Sequence, residues 1–312
     1  MKLGQLSLVE IKELLKKEKK FKDLDSWKFE HISLGEMRHK YKLSKEKEVY
    51  FVKEIKPHEA QMEYFLTRLK LPHLPYSEYP NLLKKKLLVR KFISGRMLRS
   101  KNIDLGLLKD FIIMRNKLNH RAFFDRNNIS SLKNFTQKDD GFYESGIRND
   151  LVVCLNSLGR LKKYKLKVVD RFLEILQHLR ENREEIIKDY VTMPFAKQHQ
   201  DFREDNIIIG IDGKQRLIDW GSSYAYNPFM HDVSIFLVGN PKALEFYVKN
   251  ADTCKKATKA QIDRWLYAAL AVRFLELLRW RVKPSEERVN TREKCKKFLE
   301  YEYKTYKYLL KK

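Results

Sequence analysis

The apolar positions fall into a first stretch with strand periodicity and a long remainder with helical periodicity. Leu8, Ile11, Leu14 and Leu15 recur at helical spacing across residues 7–20, and Ser7 with Glu10 forms a capping box, so an amphipathic helix opens the chain. The pattern then alternates. Residues 27–32 and 40–43 interleave apolar and polar side chains, and Val49-Tyr50-Phe51-Val52 is an apolar run ending on Lys53. Together these predict three antiparallel strands of a small sheet. Pro57 stands at a helix start, and the following turns carry Met62, Phe65, Leu66 and Leu69 as one stripe with Glu59 and Glu63 at its borders.

Past an apolar strand at 87–93 that runs into Gly95, helical spacing takes over. Helices are predicted over 105–117, 150–161 and 168–190, with an aperiodic polar loop at 125–141. Residues 265–282 are apolar nearly all the way round and predict a buried helix. Charges inside such a helix need partners or a cleft to face, so Arg273 and Glu276 are either an internal ion pair or the border of a ligand site. Tyr301, Tyr303, Tyr306 and Tyr308 mark a last amphipathic helix, whose rings are available for packing or for stacking on bases.

The chemistry concentrates between His199 and Asp232. His199-Gln200-Asp201-Phe202-Arg203-Glu204-Asp205-Asn206 is followed by the apolar run Ile207-Ile208-Ile209, a turn at Asp212-Gly213 and then Leu217-Ile218-Asp219. A hairpin of that length returns Asp219 to the side of Asn206, so Asp201, Asn206 and Asp219 converge. Phosphoryl transfer needs such a trio: a carboxylate beside the attacking hydroxyl, and an amide oxygen with a second carboxylate to hold magnesium.

Charge and cysteine usage narrow the setting. The chain carries 65 Lys and Arg against 41 Asp and Glu, a net +24, which draws it to anionic ligands and disfavours a polycationic one. Residues 160–167 are the densest basic segment, read either as a solvated connection between helices or as a patch for phosphate backbones. Cys154, Cys254 and Cys295 are too scattered for a disulfide framework or a zinc site. With no apolar run long enough for a membrane span or a signal peptide, a soluble cytoplasmic protein is expected.

The segment His199-x-Asp201-x-x-x-x-Asn206 followed by Ile218-Asp219-Trp220 resembles the catalytic stretch of the aminoglycoside phosphotransferase and choline kinase family. Asn227 to Val233 resembles that family's Pro-x-x-x-Asp-Leu segment, with Asp232 as its acid. Gln200 stands where the family carries glycine. The resemblance implies an α+β, two-lobed protein-kinase-like fold, with a small β-rich N-terminal lobe (1–90) and a larger, mostly helical C-terminal lobe (91–312). It further implies ATP as phosphoryl donor with Mg2+, and Asp201 as the residue that orients the acceptor hydroxyl. Arg203 would meet the charge on the transferring group, and Asn206 with Asp219 would hold the metal. Lys53 would hold the phosphates, kept in place by Glu59, with Glu63 as the alternative partner. A turn at Gly35 would cover the phosphates, and the strand ending near Phe92 would present backbone groups to the base. A small-molecule alcohol is the acceptor the family implies. The +24 charge keeps open RNA or another polyanion as acceptor, and a catalytically idle kinase-like module that binds nucleic acid.

Overall fold

The computed structural model describes residues 6–32, 40–120, 140–222, 226–282 and 286–311. Within it the chain forms two compact units. The described residues of 1–100, 104–114 and 199–225 make one, and those of 101–103, 115–198 and 226–312 make the other. A boundary at residue 90, as drawn from the sequence, falls inside the first unit. Strand pairing is the reason: β5 (Gly95–Met97) adds to the hairpin of β7 (Ile207–Gly210) and β8 (Gln215–Leu217), and so ties the 199–225 segment to the residues that follow 90.

In the first unit, α1 (Leu8–Lys16) starts on the expected capping box, with Ser7 and Glu10 bonded reciprocally. A four-stranded antiparallel sheet follows in the order β1 (Lys28–His31), β2 (Lys40–Lys45), β3 (Glu48–Glu54), β4 (Leu87–Lys91). The period of two sorts its side chains cleanly. Tyr41, Leu43, Tyr50, Val52, Leu87 and Val89 share one face and pack with Ile11 and Leu15 of α1, Phe21 and Trp27. Ile11 and Leu15 are fully buried, and each contributes about 2 kcal/mol of transfer free energy to seating the helix. On the opposite face, Leu88 and Phe51 pack with Ile55, Ala60 of α2 (Pro57–Leu69) and Leu83 of α3 (Pro80–Leu83). That face also carries Lys40, Lys53 and Arg90, as the register Lys40↔Lys53↔Leu88 and Lys42↔Phe51↔Arg90 requires. Gly35 lies outside the described residues.

In the second unit, the helices are α5 (Asp140–Leu161), α6 (Lys167–Glu181), α7 (Arg183–Val191), α8 (Ser234–Leu237), α9 (Pro241–Asn250), α10 (Lys259–Arg281) and α11 (Arg292–Tyr306), beside a two-stranded sheet of β6 (Phe195–Lys197) and β9 (Tyr226–Pro228). Helix α4 (Leu105–His120) has its first turns in the first unit and its end in this one. The single helix expected over 168–190 is broken at Asn182, whose side-chain amide and backbone N–H both donate to the His178 carbonyl and close α6. Most of the polar stretch at 125–141 lies outside the described residues. Helix α10 is buried as expected from Ile262 to Leu278, but Trp280 near its end is 59% exposed. The C-terminal tyrosines are largely spent on packing, with Tyr306 5.0 Å from Phe274 and Tyr303 6.1 Å from Phe172, centroid to centroid. No helix among the described residues is long and apolar enough to cross a membrane, and the three cysteines are free and buried.

Candidate active site

Strand β3 is apolar because it is the second of four strands with one face in the core, and it delivers a lysine at the point where that requirement ends. Lys53 is 5% exposed, so its ammonium must be compensated. It donates to Glu59 Oε1 at 2.8 Å and to Asp219 Oδ1 at 2.8 Å. Burial works against the Lys53 charge, but Glu59 and Asp219 outweigh it and raise its pKa above that of a free lysine. The same balance acts on Asp219. Burial would raise it, yet Lys53, with Lys40 and His199 adding, holds its carboxyl well below the usual range.

Glu59 and Glu63, one turn apart on α2, have different partners. Glu59 takes Lys53, whereas the fully buried Glu63 lies 3.5 Å from Arg90 Nη1 of β4. Neither Glu63 oxygen has a hydrogen-bond partner, and burial pushes its pKa up to about 7 despite the guanidinium. Arg90 also sits over the Phe51 ring at 5.5 Å. Gly221 closes over the ion triad, since a Cβ there would stand 3.3 Å from Asp219 Oδ1, 3.4 Å from Glu59 Oε2 and 3.7 Å from Lys53 Nζ. Its carbonyl accepts from His58 Nε2 at 2.8 Å, which fastens the start of α2 to the segment after Asp219.

The loop from His199 to Asn206 is fixed onto the same hairpin. His199 is fully buried against Trp220, with ring centroids 4.5 Å apart, and its Nε2 donates to the Ile218 carbonyl at 2.9 Å. Ile218 N–H in turn donates to the Asn206 carbonyl at 2.9 Å. Phe202, also fully buried, packs edge-on against Phe111 at 4.7 Å. Between these anchors Asp201 is 32% exposed at its side chain and held on both oxygens. Asn206 Nδ2 donates to Oδ2 at 2.7 Å, and Arg203 Nε pairs with Oδ1 at 2.9 Å. Asn206 Nδ2 also donates to the Asp201 carbonyl at 2.8 Å. With both amide hydrogens committed to Asp201, the orientation of the Asn206 Oδ1 acceptor is set.

Two residues here adopt left-handed backbone: Gln200 at φ 65° and Asp219 at φ 63°. Aspartate visits that region with several-fold enrichment, but a glutamine pays a steric penalty of about 1 kcal/mol there. The glycine that the resembling family carries after its first histidine is therefore a conformational preference, and Gln200 keeps the turn at a cost. Strain of this kind, gathered on both sides of the Asp201 and Asp219 carboxylates, belongs with functional loops.

Phe92 is placed differently from expectation. Its N–H donates to the Val49 carbonyl at 2.9 Å and so prolongs the β3–β4 ladder, while the Lys42 ammonium lies 5.6 Å from its ring. A base cannot be read through an N–H already spent on the sheet. In the second unit, Arg273 and Glu276 form the internal pair at 2.9 Å, joined by His231, whose Nε2 is 3.3 Å from Glu276 and whose Nδ1 bonds Tyr190 at 2.8 Å. Burial would raise Glu276, but His231 and Arg273 prevail and lower it to about 2. Asp232 is fully buried. The Glu63–Arg90 pair and the His58 tie were not anticipated from sequence, because each depends on which strand or loop faces α2.

No protein-family profile matches the chain, and none of the curated proteins does. Among solved structures it is similar to a choline kinase from Cryptosporidium parvum Iowa II, at 13% identity and a TM-score of 0.49 over 98% of this chain and 95% of that one. A Plasmodium vivax ethanolamine kinase gives 14% and 0.48 over 97% and 87%. A spectinomycin phosphotransferase solved with ADP and spectinomycin gives 12% and 0.44 over 95% and 94%. These belong to the group that the His199–Asp232 segment resembles, and the likeness is one of backbone alone.

Proposed function

We propose that this chain is an ATP-dependent kinase that transfers the γ-phosphoryl group to a hydroxyl of a small-molecule acceptor. The observation that carries the reading is the assembly, within one compact unit, of a buried Lys53–Glu59–Asp219 triad and an Asp201 carboxylate held by Asn206 and Arg203 on the adjoining loop. Lys53 presents a fixed positive charge to the phosphates. Asp201, oriented through both oxygens, accepts the proton of the acceptor hydroxyl as that oxygen bonds the γ-phosphorus and the bond to the β–γ bridging oxygen breaks, releasing ADP. Arg203 stands where a guanidinium meets charge on the transferring group.

Asn206 Oδ1 and the Asp219 carboxylate fit a magnesium ion, since both are hard oxygen donors and that metal takes few protein ligands, keeping water for the remainder. Mg2+ at that pair supplies neutralisation of the phosphate oxygens. Asp219 serves both cations because its Oδ1 already accepts from Lys53.

A transfer screen with γ-labelled ATP across amino alcohols, sugars, nucleosides and tRNA tests the reading, with Asp201→Asn as control. Label should move to a small hydroxyl compound, and turnover should fall by roughly 100-fold or more in the variant. Full turnover in Asp201→Asn, or label appearing only on tRNA, refutes it.

A further inference from the structure

The face of the sheet that carries Lys53 holds a second cation that the scheme above leaves unused. Lys40 is the first residue of β2 and the direct antiparallel partner of Lys53. Directly opposed residues project from the same face with Cβ atoms about 5 Å apart. Two lysines in that relation repel, and sheets ordinarily avoid like charges there. The other cations on the face have assigned anions. Lys53 has Glu59 and Asp219, Arg90 has Glu63, and Lys42 lies 3.6 Å from Glu30. Lys40 is half-buried, and its charge acts on Asp219, the carboxylate that already serves Lys53. Loading that carboxylate with a divalent cation leaves two ammonium groups and one metal facing whatever binds there, a combination suited to a polyphosphate and to no neutral ligand.

We propose that Lys40 is a second phosphate-binding residue, reaching the polyphosphate chain of the nucleotide from β2 directly across from Lys53. The inference rests on the kinase reading. It assigns Lys40 to the phosphates and not to the base, so its loss weakens ligands in proportion to their phosphate charge.

The test is a fluorescence titration of the full chain with ATP, ADP and adenosine in the presence of Mg2+, comparing the unsubstituted protein with Lys40→Gln and Lys40→Arg. Lys40→Gln should weaken ATP and ADP by about tenfold or more and leave adenosine unchanged, while Lys40→Arg retains most of the affinity. Equal weakening of adenosine would make Lys40 a structural residue, and unchanged ATP affinity would remove it from the site; either overturns the proposal while the kinase reading stands. An unsubstituted chain that binds no nucleotide overturns both. Asp201→Asn, which lacks the proton acceptor, should show the same dependence on Lys40 in binding.

Discussion

Replacing Glu63 by glutamine should make the protein relatively more stable as pH rises, because the fold holds this carboxyl in a place that disfavours its charge. Glu63 is fully buried, and its pKa moves from the ordinary 4.5 to about 7, burial outweighing Arg90. A raised folded-state pKa means that the native chain binds the proton more tightly than the unfolded one. Its contribution is complete below 4.5 and is lost as pH climbs to about 7. At ~1.4 kcal/mol for each pH unit, that interval amounts to on the order of 3 kcal/mol. Glu63→Gln carries a neutral group of the same shape at every pH. Thermal unfolding of both proteins at pH 5 and pH 8 gives the assay. The melting temperature of the variant relative to the parent should rise by several degrees between the two, at roughly 2–4 °C per kcal/mol. A difference that does not change with pH, or one that worsens for the variant at pH 8, would show the Arg90–Glu63 pair to be net favourable and refute the argument.

Gln200→Gly should stabilise the chain by about 1 kcal/mol, measured by denaturant unfolding, because it removes the left-handed penalty at φ 65°; destabilisation would mean the glutamine side chain is worth more than the strain. Arg203→Ala should lower kcat by about tenfold or more and leave the KM for ATP near its parent value, since the guanidinium contacts Asp201 and the transferring group rather than the nucleotide; unchanged kcat in steady-state assays refutes that role.

What could be read from the chain follows the range of the interactions involved. Asp201, Asn206 and Asp219 lie within nineteen residues joined by one hairpin, so turn chemistry alone brings them together. Ser7 and Glu10, three residues apart, are legible for the same reason. Lys53 could be picked out because a charge ending an apolar strand is conspicuous in any context. Choosing between Glu59 and Glu63 required knowing that β4 places Arg90 under α2, and no spacing within α2 contains that fact. Phe92 was misjudged for a related reason: whether its N–H is free depends on how far the β3–β4 ladder extends, which is decided by Val49 on another strand. Asn182 broke an otherwise regular apolar stripe because a short amide competes for the carbonyl that would continue the helix, an effect that hydrophobic periodicity does not register.

The two anions around Lys53 also differ in when they can arrive. Glu59 is six residues away, whereas Asp219 is 166 residues further along. A ribosome adding roughly 5–20 residues per second needs on the order of ten to thirty seconds to cover that interval. Throughout it the nascent β3–α2 hairpin already carries its own counterion, so the lysine can be drawn out of water before the rest of the machinery exists. Deleting Glu59 would therefore harm the newborn chain more than the finished one, and refolding of purified Glu59→Gln protein should compare well with its yield from translation.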